Sequence, residues 1–165
     1  MQSKFYSPDA QRAAQVNKLF ATIARRYDLL NDVMTLGLHR HWKHRLVELA
    51  GVAASVPDAF PESRRDGGHY TPQVLDLCCG TGDIALRFTG HVVGADFTEE
   101  MLQVARTRSA RIEWMRADAL NLPFPDNSFD VITIGYGLRN LADIERGLRE
   151  CYRVLRRGGK LLSLD

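Results

Sequence analysis

Val74-Leu75-Asp76-Leu77-Cys78-Cys79-Gly80-Thr81-Gly82-Asp83 decides the fold. An apolar run ends in an acid, a glycine turn follows, and Ile84 to Phe88 continues as a helix-like segment. That order describes a buried strand feeding a nucleotide-binding turn. Glycine belongs where the backbone turns sharply or lies close to a ligand, because it has no Cβ. The second signal is Asp96, at the end of the next apolar run, Val92-Val93-Gly94-Ala95. An acid in that place can accept both ribose hydroxyls of a bound nucleoside.

Working outward from this pair, the pattern repeats. Strand 92–96 leads to a helix over 99–109, which Thr98 is expected to cap and whose first turn carries Glu99 and Glu100. Strand 112–116 leads to Asp118-Ala119 and a proline-punctuated turn, Leu122 to Ser128. Strand 129–134 opens onto Gly135-Tyr136-Gly137-Leu138-Arg139-Asn140. A helix over 143–155 is expected to stop at Gly158-Gly159, and a fifth strand starts at Lys160. Strands alternating with helices predict an α/β fold: a doubly wound, mainly parallel sheet with ligands at the carboxyl ends of its strands.

Upstream, residues 1–52 read as an N-terminal helical segment. Val16, Leu19, Phe20, Ile23, Ala24 and Tyr27 recur at helical spacing. A second helix is expected over 39–49, with Trp42, Leu46, Leu49 and Ala50 on one face and Gly51 at its end. Residues 53–72, with three prolines and Gly67-Gly68, read as a linker. The Rossmann-like core is then 73–165.

Bulk properties narrow the class. The chain has 165 residues, 45% apolar and 25% charged, as in one ordinary globular domain. A formal net charge of +2 gives no reason to expect a nucleic-acid partner. The charge is uneven, however: residues 1–50 hold eight Lys/Arg against four Asp/Glu. A solvated helix face explains this, and contact with an anionic membrane surface or an acidic substrate is the alternative. Cys78, Cys79 and Cys151 have neither disulfide-framework nor zinc spacing, so a reducing cytoplasm is expected. His39, His41 and His44 contain no i, i+4 pair, and no metal site is expected. No run of about 18 apolar residues suggests a membrane span.

Two ligands compete for the glycine turn. Gly80-Thr81-Gly82 partly fits a dinucleotide fingerprint, with Ala85 in the third glycine's place. That reading gives a nicotinamide-dependent oxidoreductase. Asp76 argues against it, because a carboxylate there would repel a pyrophosphate and suit an ammonium. A ligand carrying both an ammonium and a ribose is S-adenosylmethionine. Simpler roles stay open: Asp76 as a helix cap, Asp118 as turn punctuation, Arg139 paired with Asp143, and Trp42 as core or lid.

The order Asp76-x-x-x-Gly80-x-Gly82, Asp96, Asp118-Ala119 resembles the motifs of class I methyltransferases. Finer features narrow this. They are Phe20-x-x-Ile23-Ala24-x-x-Tyr27-Asp28-x-x-Asn31-Asp32, Leu36-Gly37-x-His39-x-x-Trp42-Lys43, Leu122 to Asp130, Gly137-Leu138-Arg139-Asn140 and Tyr152-Arg153-Val154-Leu155. Together they resemble the UbiE/MenG quinone-ring C-methyltransferases from about residue 16 onward, apart from the 53–72 insert. The resemblance implies methyl transfer from S-adenosylmethionine to a ring carbon of a prenylated quinol in menaquinone or ubiquinone biosynthesis. It implies cofactor contacts at Asp76, Gly80, Thr81, Gly82, Asp96, Phe97, Asp118, Ala119 and Gly135. It places Arg139, Asn140 and Tyr136 at the reacting ring: Arg139 to steady a phenolate, Asn140 to orient it, Tyr136 to pack against sulfonium or quinol. His39, Asp28 or a water near Arg139 are candidate proton acceptors. The implied protein is cytoplasmic, a lid-covered enzyme able to touch the inner face of the membrane, and a homo-oligomer is compatible with it. Methyltransferase sheets of this class normally carry seven strands. Five are legible here, so the expectation is a sheet whose last strands are missing, with an apolar edge. A cofactor-binding module without turnover is the alternative.

Overall fold

A computed structural model describes residues 21–22, 32–51 and 71–165. Apart from residues 21–22, which are helical, the expected helix through Val16 to Tyr27 lies outside the described residues, as do nearly all of the 53–72 linker, Asp28 and Asn31.

Five parallel strands form one sheet: β1 (Gln73–Leu77), β2 (His91–Asp96), β3 (Glu113–Arg116), β4 (Phe129–Gly135) and β5 (Leu155–Leu164), in the order β3-β2-β1-β4-β5. β1 and β4 are buried almost throughout, as parallel strands covered on both faces must be, and so read as continuous apolar runs. The chain steps from β1 outward through β2 to β3, then returns to β4 on the other side of β1. That reversal opens a crevice at the carboxyl ends of β1 and β4.

Side chains alternate across the sheet, and the two faces have separate cores. Leu75, Leu77, Ile132 and Ile134 pack with Cys151 and Val154 of α3 (Ile144–Val154). Val74, Val92 and Val131 pack with Leu46, Val47 and Ala50 of α1 (Leu38–Ala50) and with Ile84, Ala85 and Phe88. Asp143 caps α3 by accepting the Arg146 amide at 2.9 Å. α2 (Glu99–Arg108) buries Met101, Leu102 and Ala105.

Four local expectations change. The buried face of α1 is His39, Lys43, Leu46, Val47 and Ala50, while Trp42 and Leu49 are exposed. Lys43 can enter this face because a carboxylate meets it there. The segment after the glycine turn is a single 3-10 turn, Ala85–Arg87, because Phe88 drops into the core and the chain extends towards β2. Thr98 stands at the start of α2 without a side-chain cap; its amide donates to Asp96 at 2.8 Å and its hydroxyl also bonds there. Gly158-Gly159 does not stop α3, which already ends at Val154. The pair lies inside β5, where the register slips between Phe129↔Leu155 and Val131↔Lys160. Gly158 has φ +81°, and a side chain at Gly159 would meet the Asp130 carbonyl, so both glycines serve a bulge.

Candidate active site

The cleft lies at the carboxyl ends of β1, β2 and β4. Its space, open mouth included, is about 930 Å³. Leu77, Cys78 and Gly80 supply one wall; Asp96, Phe97, Thr98 and Met101 a second; Ala117, Asp118, Ala119 and Leu120 a third. Gly135, Tyr136, Gly137, Asn140, Leu141 and Ala142 close it from the β4 side.

Two residues just beyond β1 and β4 hold left-handed backbone: Cys78 at φ +56° and Tyr136 at φ +58°. Neither is glycine, so both conformations cost energy that the surroundings must offset. Gly137, next to Tyr136, packs so closely on Cys78 that a Cβ there would overlap it. Asn140 donates its side-chain amide to the Tyr136 carbonyl at 3.0 Å, and the Tyr136 amide donates to the Leu164 carbonyl at 2.6 Å.

Asp96 ties the site together. One oxygen accepts the Gly80 amide and the other the Thr98 amide, each at 2.8 Å. Burial pushes its carboxyl above the ordinary range, against the pull of the Thr98 and Gly80 amides. It is thus a strand-end carboxylate facing a cavity, beside a turn whose Gly80 has open space where a side chain would stand. Asp118 also faces the cavity, and one of its oxygens accepts the Leu120 amide at 2.9 Å.

The two turn glycines do different work. At Gly82, φ is +85° and a Cβ would overlap the Trp114 ring, as would one at Gly94 on β2. Gly82 therefore admits the indole, and Gly80 alone of the two faces the ligand space.

Gly80, Asp96, Phe97, Asp118, Ala119, Gly135, Tyr136 and Asn140 all line this one cavity. Asp76, Thr81, Gly82 and Arg139 do not. Asp76 projects from the opposite face to Leu75 and Leu77, into the layer under the 3-10 turn. There one oxygen accepts the Thr133 hydroxyl at 2.7 Å and the other the Ala85 amide at 3.0 Å. Burial drives its carboxyl up to about 7, against these two hydrogen bonds. These two hydrogen bonds tie the end of β1 to the 3-10 turn and to β4. The Thr81 hydroxyl is buried and accepts from Arg108 at 3.2 Å. Arg139 is exposed and lies 3.7 Å from Asp165 rather than pairing with Asp143. His39 is buried and bonded to the Thr35 hydroxyl at 2.8 Å.

Sequence reasoning missed Lys43 as a site residue. It is buried, its ammonium 2.8 Å from Asp83 in the glycine turn and 6.0 Å from the Tyr136 ring centroid. Burial lifts the Asp83 carboxyl, but the Lys43 hydrogen bond and the charges of Lys43, Arg87 and Arg108 outweigh it and hold it below the ordinary range. Only the His39-x-x-Trp42-Lys43 spacing pointed towards this residue. Among the described residues no cluster of His, Cys, Asp and Glu could hold a metal ion.

This sheet order, with the acid at the end of β2 and the glycine turn after β1, defines a Rossmann-like nucleotide-binding fold, and comparison with known proteins narrows it to the class I methyltransferase type. The model of the ubiE/COQ5 methyltransferase family matches residues 8–165, and the chain belongs to that family. It is 42% identical to the ubiquinone/menaquinone biosynthesis C-methyltransferase UbiE of Pseudomonas putida over 170 residues, and equally to that of Pseudomonas fluorescens. Each alignment covers 96% of this chain and 60% of the relative, so the chain spans about three-fifths of those proteins' length. Among solved structures, a putative methyltransferase from Bacillus halodurans shares 30% identity at a TM-score of 0.54, over 64% of this chain and 49% of that one. A putative S-adenosyl-L-methionine-dependent methyltransferase from Methanococcus maripaludis, 19% identical, shares the fold over 99% of this chain and 66% of its own, at a TM-score of 0.57. The [4+2]-cyclase SpnF is also similar, at 30% identity and a TM-score of 0.54 over 64% of this chain and 43% of its own. The fold is therefore no proof of the chemistry.

Proposed function

We propose that the chain binds S-adenosylmethionine in this cleft and transfers its methyl group to a ring carbon of a prenylated quinol, a demethylmenaquinol or ubiquinol precursor. The observation that carries the reading is Asp96, held by the Gly80 and Thr98 amides at the mouth of an apolar cavity beside an open glycine turn. The residues present fit the cofactor. Asp96 offers acceptors for ribose hydroxyls, Phe97, Met101 and Leu120 offer apolar surface for a base, Asp118 and Ala119 flank it, and Gly80 and Gly135 leave the backbone accessible.

When bound, the cofactor supplies an electrophilic methyl on a sulfonium. The chain's share is positioning and electrostatics. Tyr136 lines the cavity from a fixed backbone, and an aromatic residue there suits a cation or a flat quinol. Asn140 braces that backbone. Arg139 is a permanent cation three residues beyond it and favours an anionic ring oxygen once its side chain turns from Asp165 towards the cleft. The prenyl tail belongs in a bilayer, and the exposed apolar side chains of Met34, Leu36, Leu38 and Trp42 suit contact with its surface. Among the described residues no helix is long and apolar enough to cross a membrane.

One observation favours a second reading, a binding module without turnover: Arg139 does not line the cleft. Incubation with methyl-labelled S-adenosylmethionine and a short-tailed demethylmenaquinol decides between them. Label in the quinol ring is the expected result. Tight cofactor binding with no label in the quinol would contradict the transferase reading and support the module.

A further inference from the structure

The buried Lys43–Asp83 pair lies outside the cavity lining, yet it touches two parts of the site. Asp83 closes the glycine turn, and the Lys43 ammonium stands 6.0 Å from the ring centroid of Tyr136, a residue that lines the cavity. Lys43 reaches Asp83 from α1, forty positions away in sequence. It is almost fully buried, so its charge acts through a poorly screened medium. Asp83 is also approached by Arg108 at 3.5 Å and Arg87 at 3.9 Å, and Asp76 adds a carboxyl within electrostatic range of Lys43.

We propose that Lys43 and Asp83 form a positioning pair that sets how strongly the Tyr136 side of the cleft prefers a sulfonium over a neutral thioether. The inference rests on the reading that the cleft takes S-adenosylmethionine. An aromatic ring attracts a cation through its electron-rich face. A bare ammonium beside that ring would oppose a second cation in the cavity. Asp83 neutralises Lys43 and leaves the ring free to receive the sulfonium. Methyl transfer turns the sulfonium into the uncharged thioether of S-adenosylhomocysteine, so the same balance governs release of product. The pair also fastens α1 to the glycine turn, which places the ammonium at a fixed distance from the ring.

Calorimetric titration of S-adenosylmethionine and S-adenosylhomocysteine into the wild type, Lys43→Met, Asp83→Asn and the double variant tests this. A packing role alone would weaken both ligands alike. Electrostatic control separates them. Asp83→Asn should lose about tenfold more affinity for the sulfonium than for the thioether, the size of a partly buried cation–aromatic contact. Lys43→Met should shift the ratio the opposite way, and the double variant should return it close to the wild-type value. If Asp83→Asn does not fold, the opposite shift in Lys43→Met carries the test. An unchanged ratio in Lys43→Met would overturn the pair's role while leaving the cofactor reading intact. A wild type that binds neither ligand would overturn the cofactor reading, and this inference with it.

Discussion

Asp76 and Asp96 show how one residue's direction decides its work. Both are acids at or near strand ends, and both were legible in the sequence. Asp96 ends β2 and opens onto the cavity. Asp76 lies one residue before the end of β1, and strand alternation sends it to the face opposite Leu77, under the 3-10 turn. The sequence shows the residue type and the strand, but β1 is buried on both faces, so alternation alone does not say which face carries the cleft. Its titration then matters for stability. In the folded chain Asp76 titrates at about 7, against an ordinary value of 3.8. Between those values the folded chain holds a proton that the unfolded chain has released. Stability from this group therefore falls as pH rises through that window. Asp76→Asn should remove this fall. Thermal melts at pH 5 and pH 8 should show the variant gaining on the wild type at the higher pH. Parallel melting curves would contradict the burial of the Asp76 carboxyl.

At the scale of elements, the helix and strand order was readable because apolar runs and breakers alternate regularly along 73–165. What was not readable was the use of two glycines. Gly82 and Gly94 lie twelve residues apart on different elements, and both make room for Trp114 of β3, whose indole nitrogen donates to the Ser109 carbonyl at 2.9 Å. No local pattern announces that meeting. The same holds for Lys43, a lysine on an amphipathic helix whose burial depends on an acid forty positions on. Gly94→Ala should lower stability by about 1–3 kcal/mol in denaturant unfolding, the usual cost of overpacking a buried site. Trp114→Leu in the same chain should recover part of the loss. An alanine variant as stable as the wild type would mean that the indole does not fill the notch.

Over the whole molecule, the chain's path through the sheet places the cleft. β1 and β4 are adjacent, the chain leaves them in opposite directions, and the loops that follow diverge to leave a crevice. Strand alternation and the glycine turn predicted that crevice from sequence. Trp42 and Leu49 were placed on the wrong side of α1, because helical periodicity alone cannot weigh a buried ion pair against an aromatic ring. The resemblance to quinone methyltransferases carried the substrate class, which neither the sheet nor the cleft specifies. The account's central claim is that Asp96 and the Gly80 turn hold a nucleoside with an amino-acid tail rather than a dinucleotide. Side-by-side titration of S-adenosylmethionine and NAD into the wild type and Asp96→Ala tests it most directly. One mole of S-adenosylmethionine should bind per chain, NAD should not bind, and Asp96→Ala should weaken the cofactor by about 100-fold or more through lost charge-assisted hydrogen bonds. NAD binding in its place, or an Asp96→Ala variant with wild-type affinity, would contradict it.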